Sequence, residues 1–261
     1  MTLIQAILLG IIQGITEFLP ISSSGHLVLF EKTFGVAEPT LTFGIVVHLG
    51  TLLAVFAVFW KDVASILRRP FQRLTLLLIV GTIPTGIIGV VFKDFFESLF
   101  ASGKTLGFEF FVTGLVLFFA ENINRGYKDV EETSLLDAAF VGVMQGAAIL
   151  PAISRSGLTI SGALFRDMDR DFAARFSFLL SIPAILGAAV FDMKDVLEAG
   201  VENLDSVSLG AGFIFAAIFG YISIKYMIGI LKKGKMRYFS YYVFVLGALI
   251  LIDQYLTHIF F

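Results

Sequence analysis

The chain has 261 residues, of which 57% are hydrophobic and 15% charged, and its formal net charge is −2. Ordinary soluble domains carry about 25% charged residues, so this composition excludes a simple water-soluble fold, and the lack of basic excess excludes a nucleic-acid-binding surface. Cysteine is absent, which removes disulfides, thiol catalysis and Cys-ligated metals.

Mean hydropathy is +0.90, and apolar segments lie near 3–19, 41–60, 74–92, 106–120, 135–150, 172–191, 207–231 and 239–260. This pattern predicts an all-α polytopic membrane protein, one integral membrane domain over 1–261. A spanning helix needs about 20 apolar residues. Six of the eight segments read as full spans, with 106–120 the shortest. The segments at 3–19 and 135–150 differ. Each runs into a proline, Pro20 or Pro151, then a Ser/Gly turn, then a short apolar run at 26–30 or 158–165. Proline followed by Ser-Ser-Ser-Gly or Ser-Arg-Ser-Gly breaks a helix, so both are expected to be re-entrant helix–turn–helix hairpins. No basic n-region or cleavage site marks the N-terminus as a signal peptide, and the first segment is expected to be retained.

The two hairpins repeat one pattern. A shift of 132 superposes Leu3, Ala6, Gly10, Gln13, Gly14, Ile21, Ser22, Ser24 and Gly25 on Leu135, Ala138, Gly142, Gln145, Gly146, Ile153, Ser154, Ser156 and Gly157. That is nine identities where roughly two are expected by chance in so biased a composition. Each half, about 1–125 and about 133–261, then reads as one hairpin plus three spans. Three is odd, so the second half enters from the opposite side, an inverted-topology repeat of the transporter kind. Loop charge agrees. Lys61, Arg68, Arg69 and Arg73 in 61–73, and Lys232, Lys233, Lys235 and Arg237 in 232–238, mark cytoplasmic loops. The acidic 192–206 loop, with Asp192, Asp195, Glu198, Glu202 and Asp205, is expected outside, as are the first hairpin and the C-terminus.

Polar groups inside such a chain are costly and mark sites. On a helix, Ala6, Gly10, Gln13, Gly14 and Glu17 share one face. The glycines and alanines are expected to form a packing seam, whereas Glu17 needs a charge, a metal or a proton as partner. Each Ser/Gly turn opens a short helix, which is where backbone N–H groups and hydroxyls bind anions. Arg155 adds a planar fork matched to phosphate oxygens. His26 lies nine residues from Glu17 across the helix break and is expected to face it. His48 and His258 read as structural or interfacial. Two anion-binding turns with a carboxylate, an imidazole and an arginine suit phosphoryl transfer, and a substrate met inside a bilayer suggests a lipid phosphate. A carrier of polyprenyl phosphate or of an anion would use the same parts without a nucleophile.

The stretches Gln-x-x-x-Glu-Phe-Leu-Pro-x-Ser-Ser-x-Gly-His at 13–26 and Ser-Arg-Ser-Gly-x-Thr at 154–159 resemble the two signature motifs of the BacA/UppP-type undecaprenyl-pyrophosphate phosphatases. The resemblance extends along essentially the whole chain. It implies removal of one phosphate from undecaprenyl pyrophosphate, which recycles the carrier lipid for peptidoglycan and other envelope polymers and lowers bacitracin sensitivity. It implies a multi-pass protein of the bacterial cytoplasmic membrane with its site opening to the outer, periplasmic side. A divalent cation, Mg²⁺ or Ca²⁺, is implied as cofactor, and the partners are the polyprenyl pyrophosphate lipid and the bilayer, with room for a homo-oligomer. By resemblance Glu17, Ser23, His26 and Arg155 are catalytic. Gln13, Ser22, Ser24, Gly25, Ser154, Ser156, Gly157 and Thr159 bind substrate phosphate, and Glu17 and Gln13 hold the metal. Gln13 stands where the best-known members have a second Glu, so it offers an amide oxygen without charge. The nucleophile is left open between Ser23, His26 and water.

Overall fold

A computed structural model describes residues 1–34, 41–123, 126–199 and 205–259. Among them helices are the only regular elements, with one isolated bridge between Lys128 and Met168. The elements are α1 (Leu3–Phe18), α2 (Ser23–Thr33), α3 (Leu41–Val58), α4 (Trp60–Arg68), α5 (Arg73–Val91), α6 (Lys93–Ser102), α7 (Leu106–Glu121), α8 (Leu135–Ala147), α9 (Arg155–Phe165), α10 (Arg170–Ala199), α11 (Ser206–Lys232) and α12 (Arg237–Ile252), which ends in a π-turn at Asp253–Thr257.

Five helices are long and apolar enough to cross a membrane: Leu41–Val58, Arg73–Val91, Arg170–Met193, Ser206–Lys232 and Arg237–Thr257. The sixth expected span, α7, has 16 residues. That is about 24 Å of helix, short of the roughly 30 Å of hydrocarbon. Gly103, in a left-handed conformation at φ 61°, closes α6 just before it, and the chain leaves the helix at Asn122. Two stretches expected as loop or span edge are helices. The basic segment after α3 forms α4, whose Asp62 pairs with Arg175 of α10. Lys93–Ser102 forms α6 and exposes Phe95 and Phe100. In the acidic 192–206 region α10 continues helical to Ala199, and Glu202 lies outside the described residues.

Both hairpin segments break where the prolines predict. α1 opens on a capping box between Thr2 and Gln5, and α8 on the equivalent box between Ser134 and Asp137, 132 positions later. Such a box satisfies two orphan N–H groups at once. α2 starts from Ser22 as N-cap and α9 from Ser154, each hydroxyl accepting the N–H of a glycine three residues on, Gly25 at 3.3 Å and Gly157 at 3.0 Å.

Glycine seams seat the first hairpin helices against long helices of the other half. α1 packs on α11, where a Cβ on Gly10 would lie 2.5 Å from the carbonyl oxygen of Gly212, and α8 packs on α5, where one on Gly142 would collide with the carbonyl of Gly81. α3 meets both α10 and α11, and α7 pairs with α12. The main core runs between these layers, around Phe18, Phe59, Phe110, Phe176, Phe178 and Leu179, with Phe18 edge-on to Phe178 at 5.5 Å. Ile79, Ile83, Ile87 and Val90 stand outward along α5, as a lipid-facing surface requires.

Candidate active site

The site is built where the two Ser/Gly turns interlock. Ser24 Oγ donates to the carbonyl of Pro151 at 2.5 Å, and Ser156 Oγ donates to the carbonyl of Leu19 at 3.1 Å. The two bonds are reciprocal: 24 corresponds to 156, and 19 to 151, under the same shift of 132. Each turn therefore ties down the breaking carbonyl of the other. Glu109 and Thr113, one turn apart on α7, brace the second turn. Glu109 Oε2 accepts the N–H of Ala152 at 2.6 Å, and Thr113 Oγ1 accepts that of Ser154 at 3.1 Å.

Glu17 lies at the meeting point, 7% exposed on the last turn of α1. Its Oε1 accepts Nη2 of Arg155 at 2.5 Å. Its Oε2 accepts the hydroxyl of Ser23 at 2.5 Å and Nε2 of Gln13, one helical turn back, at 2.9 Å. Ser23 and Arg155 are the first residues of α2 and α9, and 23 corresponds to 155 under the shift. One carboxylate thus holds both equivalent positions, a hydroxyl on one oxygen and a guanidinium on the other. A serine within 2.5 Å of a carboxylate has the geometry of a nucleophile beside its base.

The turn before Ser23 is strained. Ser22 sits at φ 67°, ψ 106°, whereas Ser154 sits at φ −74°, ψ 115°. A side-chain-bearing residue at positive φ costs energy and persists only where its surroundings hold it. Here the surroundings are the Gly25 cap bond, the bond from Ser22 Oγ to Pro151 at 3.1 Å, and His26, whose Nδ1 lies 2.6 Å from the Ser22 carbonyl. The strained residue is the one that aims Ser23 at Glu17.

The sequence-derived residues divide into two groups. Gln13, Glu17, Ser23 and Arg155 converge. Ser22, Ser24, Ser154 and Ser156 spend their hydroxyls within the turns, as caps and cross-links. Gly25 and Gly157 allow close packing; a Cβ on Gly25 would lie 2.6 Å from the ring of Phe110. Thr159 is buried behind the second turn, bonded to the carbonyl of Arg155 at 2.8 Å and to Ser177 Oγ at 2.6 Å.

His26 departs from expectation. It does not meet Glu17: its Nδ1 goes to Ser22 and its Nε2 to the hydroxyl of Tyr242 on α12 at 2.8 Å, with the two rings stacked. The imidazole beside Glu17 is His48 of α3, its Nε2 3.7 Å from Oε2. Spacing from a motif finds neighbours along the chain, and His48 reaches the site only through tertiary packing. Glu109 carried a legible signal, a carboxylate inside an apolar run; Tyr242 carried none.

Two buried polar atoms of the cluster have no partner, Oε1 of Gln13 and Nη1 of Arg155. An unpaired buried polar group costs about 1–3 kcal/mol, so a ligand that offers each a partner is favoured there. Nη1 suits a phosphoryl oxygen. Gln13 Oε1 and the Glu17 carboxylate are oxygen donors of the kind that a hard divalent ion takes along with substrate phosphate. Among the described residues no three His, Cys, Asp or Glu side chains gather to hold a metal, so the protein's own share of such a shell is partial.

The sequence model of the family described as "Bacitracin resistance protein BacA" matches residues 6–249. A protein named undecaprenyl-diphosphatase from Carboxydothermus hydrogenoformans is 56% identical over 252 residues, covering 96% of this chain and 97% of the relative. One of the same name from Halothermothrix orenii is 49% identical, covering 97% and 98%. Undecaprenyl-diphosphatase 4 of Bacillus thuringiensis (strain Al Hakam) is 48% identical over 260 residues, covering 100% of both chains. With that match running from α1 into α12, and through both turns that converge on Glu17, the chain belongs to the BacA family.

Proposed function

We propose that this chain hydrolyses undecaprenyl diphosphate to undecaprenyl phosphate and inorganic phosphate, returning the carrier lipid to cell-envelope synthesis and lowering sensitivity to bacitracin. The full-length relatives named undecaprenyl-diphosphatase support it. The structural observation that carries it is the double engagement of Glu17, with Ser23 on one oxygen and Arg155 on the other.

The chemistry follows from those contacts. The terminal phosphate enters between the turns, and Arg155 Nη1 gains the acceptor it lacks in the free protein. Ser23 Oγ attacks the terminal phosphorus and gives its proton to Glu17 Oε2. The bond from that phosphorus to the bridging oxygen breaks, and undecaprenyl phosphate leaves. Water then attacks the same phosphorus, the seryl oxygen leaves and recovers its proton from Glu17, and inorganic phosphate is released. Arg155 stabilises the charge that builds on the phosphoryl oxygens, a preorganised role worth about 10²–10³ in rate. A divalent cation, Mg²⁺ or Ca²⁺, held by Glu17 and Gln13 supplies further neutralisation of phosphate charge when bound. His26 acts as a positioning residue, holding the carbonyl of Ser22 so that the turn keeps Ser23 in place.

The protein acts in the bacterial cytoplasmic membrane as one domain, its halves, about 1–125 and 133–261, forming an inverted repeat with the site opening to the outer side. Reciprocal turn bonds, paired capping boxes and the charge of the 61–73 and 232–238 loops support this arrangement. The test is phosphate release from undecaprenyl diphosphate by the purified protein in detergent, with Mg²⁺, with Ca²⁺ and with chelator. Release that disappears in Ser23→Ala is expected. Binding of the lipid without release under any metal condition would replace the enzyme by a carrier.

A further inference from the structure

His48 has no role in the chemistry above, yet it lies against the central carboxylate. Its Nδ1 is 2.8 Å from the carbonyl oxygen of Gly44, one turn back on α3. Only an N–H can face a carbonyl at that distance, so the neutral ring carries its proton on Nδ1 and its lone pair on Nε2. Metal-binding histidines are held in this way, the non-ligating nitrogen donating to a backbone carbonyl.

The distance from Nε2 to Glu17 Oε2 is 3.7 Å. That is too long for a hydrogen bond. Two donors each about 2.1–2.2 Å from a common ion lie about 3–3.8 Å apart, depending on the angle between them. Gln13 completes the group. Its Nε2 is bonded to the same Oε2, and its Oε1 is buried with nothing to bind. Three side chains from two helices, α1 and α3, thus meet at Glu17: an imidazole lone pair 3.7 Å from Oε2, and an amide bonded to Oε2 whose own oxygen is unpaired. The His48 side chain is 34% exposed against 6% for Glu17, so an ion between them would keep an open face for water or phosphoryl oxygens.

We propose that His48 is a ligand of the divalent cation in this chain, together with Glu17 and Gln13, and that the site therefore prefers a transition ion such as Mn²⁺ to Ca²⁺. Imidazole suits first-row transition ions, whereas Ca²⁺ takes an all-oxygen shell. With an amide at position 13, Glu17 is the one carboxylate of the trio, and the imidazole supplies the second strong donor. The inference deepens the phosphatase reading and rests on it for the purpose of the ion, but the ion can be measured without turnover.

The experiment uses the full-length protein in detergent, stripped with chelator and titrated with Mn²⁺ alone. Bound Mn²⁺ is counted by electron paramagnetic resonance, and a directly bound imidazole is read from its ¹⁴N coupling in the pulsed spectrum. Wild type should show that coupling. His48→Gln should lose it and bind Mn²⁺ at least about 10-fold more weakly, while His258→Gln keeps both. Metal-free melting of each variant checks its fold. Should His48→Gln not fold, competition in wild type carries the test: Ca²⁺ should displace Mn²⁺ only at about 10-fold or greater excess. Mn²⁺ bound without nitrogen coupling, Mn²⁺ bound equally by wild type and His48→Gln, or displacement by equal Ca²⁺ would each overturn the proposal and leave a bridging water between His48 and Glu17. Phosphate release measured on the same samples separates the two readings. Turnover without nitrogen coupling sinks the ligand and spares the phosphatase, and nitrogen-coupled Mn²⁺ without turnover does the reverse.

Discussion

Removing either partner of the Glu17–Arg155 pair should cost far more stability than removing both. The guanidinium and the carboxylate meet at 2.5 Å, with side chains 16% and 6% exposed. Breaking a buried pair by deleting one partner leaves an uncompensated buried charge, at about 3–5 kcal/mol. That is a large part of the roughly 5–15 kcal/mol that holds a domain together. Glu17→Gln and Arg155→Gln should each lose about that much. The double variant keeps two amides able to bond each other and strands no charge, so it should fall short of the summed losses by at least about 2 kcal/mol. Stability is read from unfolding in detergent, and phosphate release is measured alongside. All three variants should lose turnover by at least about 10³-fold, because the base, the clamp or both are gone. Inorganic pyrophosphate should restore stability to Glu17→Gln, where Arg155 is left without an anion, and should do little for Arg155→Gln. Losses that simply add, or pyrophosphate acting equally on both singles, would refute the view that the free site stores a charge pair which the substrate phosphate takes over.

Other perturbations bear on separate parts of the site. Arg155→Lys keeps the charge but loses the planar fork, and phosphate release should fall about 10²-fold or more; near-wild-type turnover in a folded protein would remove the clamp role. Ser22→Gly and Ser154→Gly delete equivalent caps, but only the first relieves a positive φ. Relief worth about 1–2 kcal/mol is set against the loss of the Ser22 Oγ bond to Pro151, about 0.5–1.5 kcal/mol, so Ser22→Gly should be at least as stable as Ser154→Gly, and clearly lower melting of Ser22→Gly would argue against strain at Ser22. A single cysteine at Lys235→Cys should be shielded from an impermeant thiol reagent in intact cells while one at Asn203→Cys reacts; the opposite labelling would reverse the orientation argued from loop charge.

The helical class, the two broken segments and the central carboxylate were legible in the sequence because each is a local property. Composition sets the class, proline with a Ser/Gly turn sets the break, and a carboxylate in an apolar run advertises a cost that something must offset. Contacts that depend on how helices assemble were not legible. His26 is near Glu17 in sequence, but α2 carries it to Tyr242. His48 is distant in sequence, but α3 carries it to within 3.7 Å of the same carboxylate. The shortness of α7 was legible too, since Leu106–Glu121 matches the apolar segment at 106–120; what failed was counting so short a segment as a full span. The serines of both turns illustrate a different limit. A run of hydroxyls at a helix N-terminus reads as an anion site, yet Ser22, Ser24 and Ser156 hold the two turns to each other, Ser154 caps its own helix, and only Ser23 is directed at Glu17.

That division of labour explains why two nearly equal turns yield one site. The turn that carries Ser23 and the turn that carries Arg155 share their caps, their glycines and their reciprocal bonds, so they hold each other in the same way from both sides. What differs is confined to a few positions. Residue 17 is Glu where its equivalent, residue 149, is Ile, and residue 23 is Ser where its equivalent, residue 155, is Arg. Because the turns interlock, both Ser23 and Arg155 reach the same carboxylate, whereas Ile149, the equivalent of Glu17, packs toward Gly89 of α5. A phosphoryl-transfer site needs a nucleophile with its base and a cation facing it. An interlocked pair of turns supplies the placement twice over, and two substitutions between the halves convert it into opposed roles around Glu17. The strain at Ser22, absent at Ser154, falls on the side that carries Ser23, the proposed nucleophile, while the relaxed turn carries the long guanidinium, whose own length tolerates a less exact backbone.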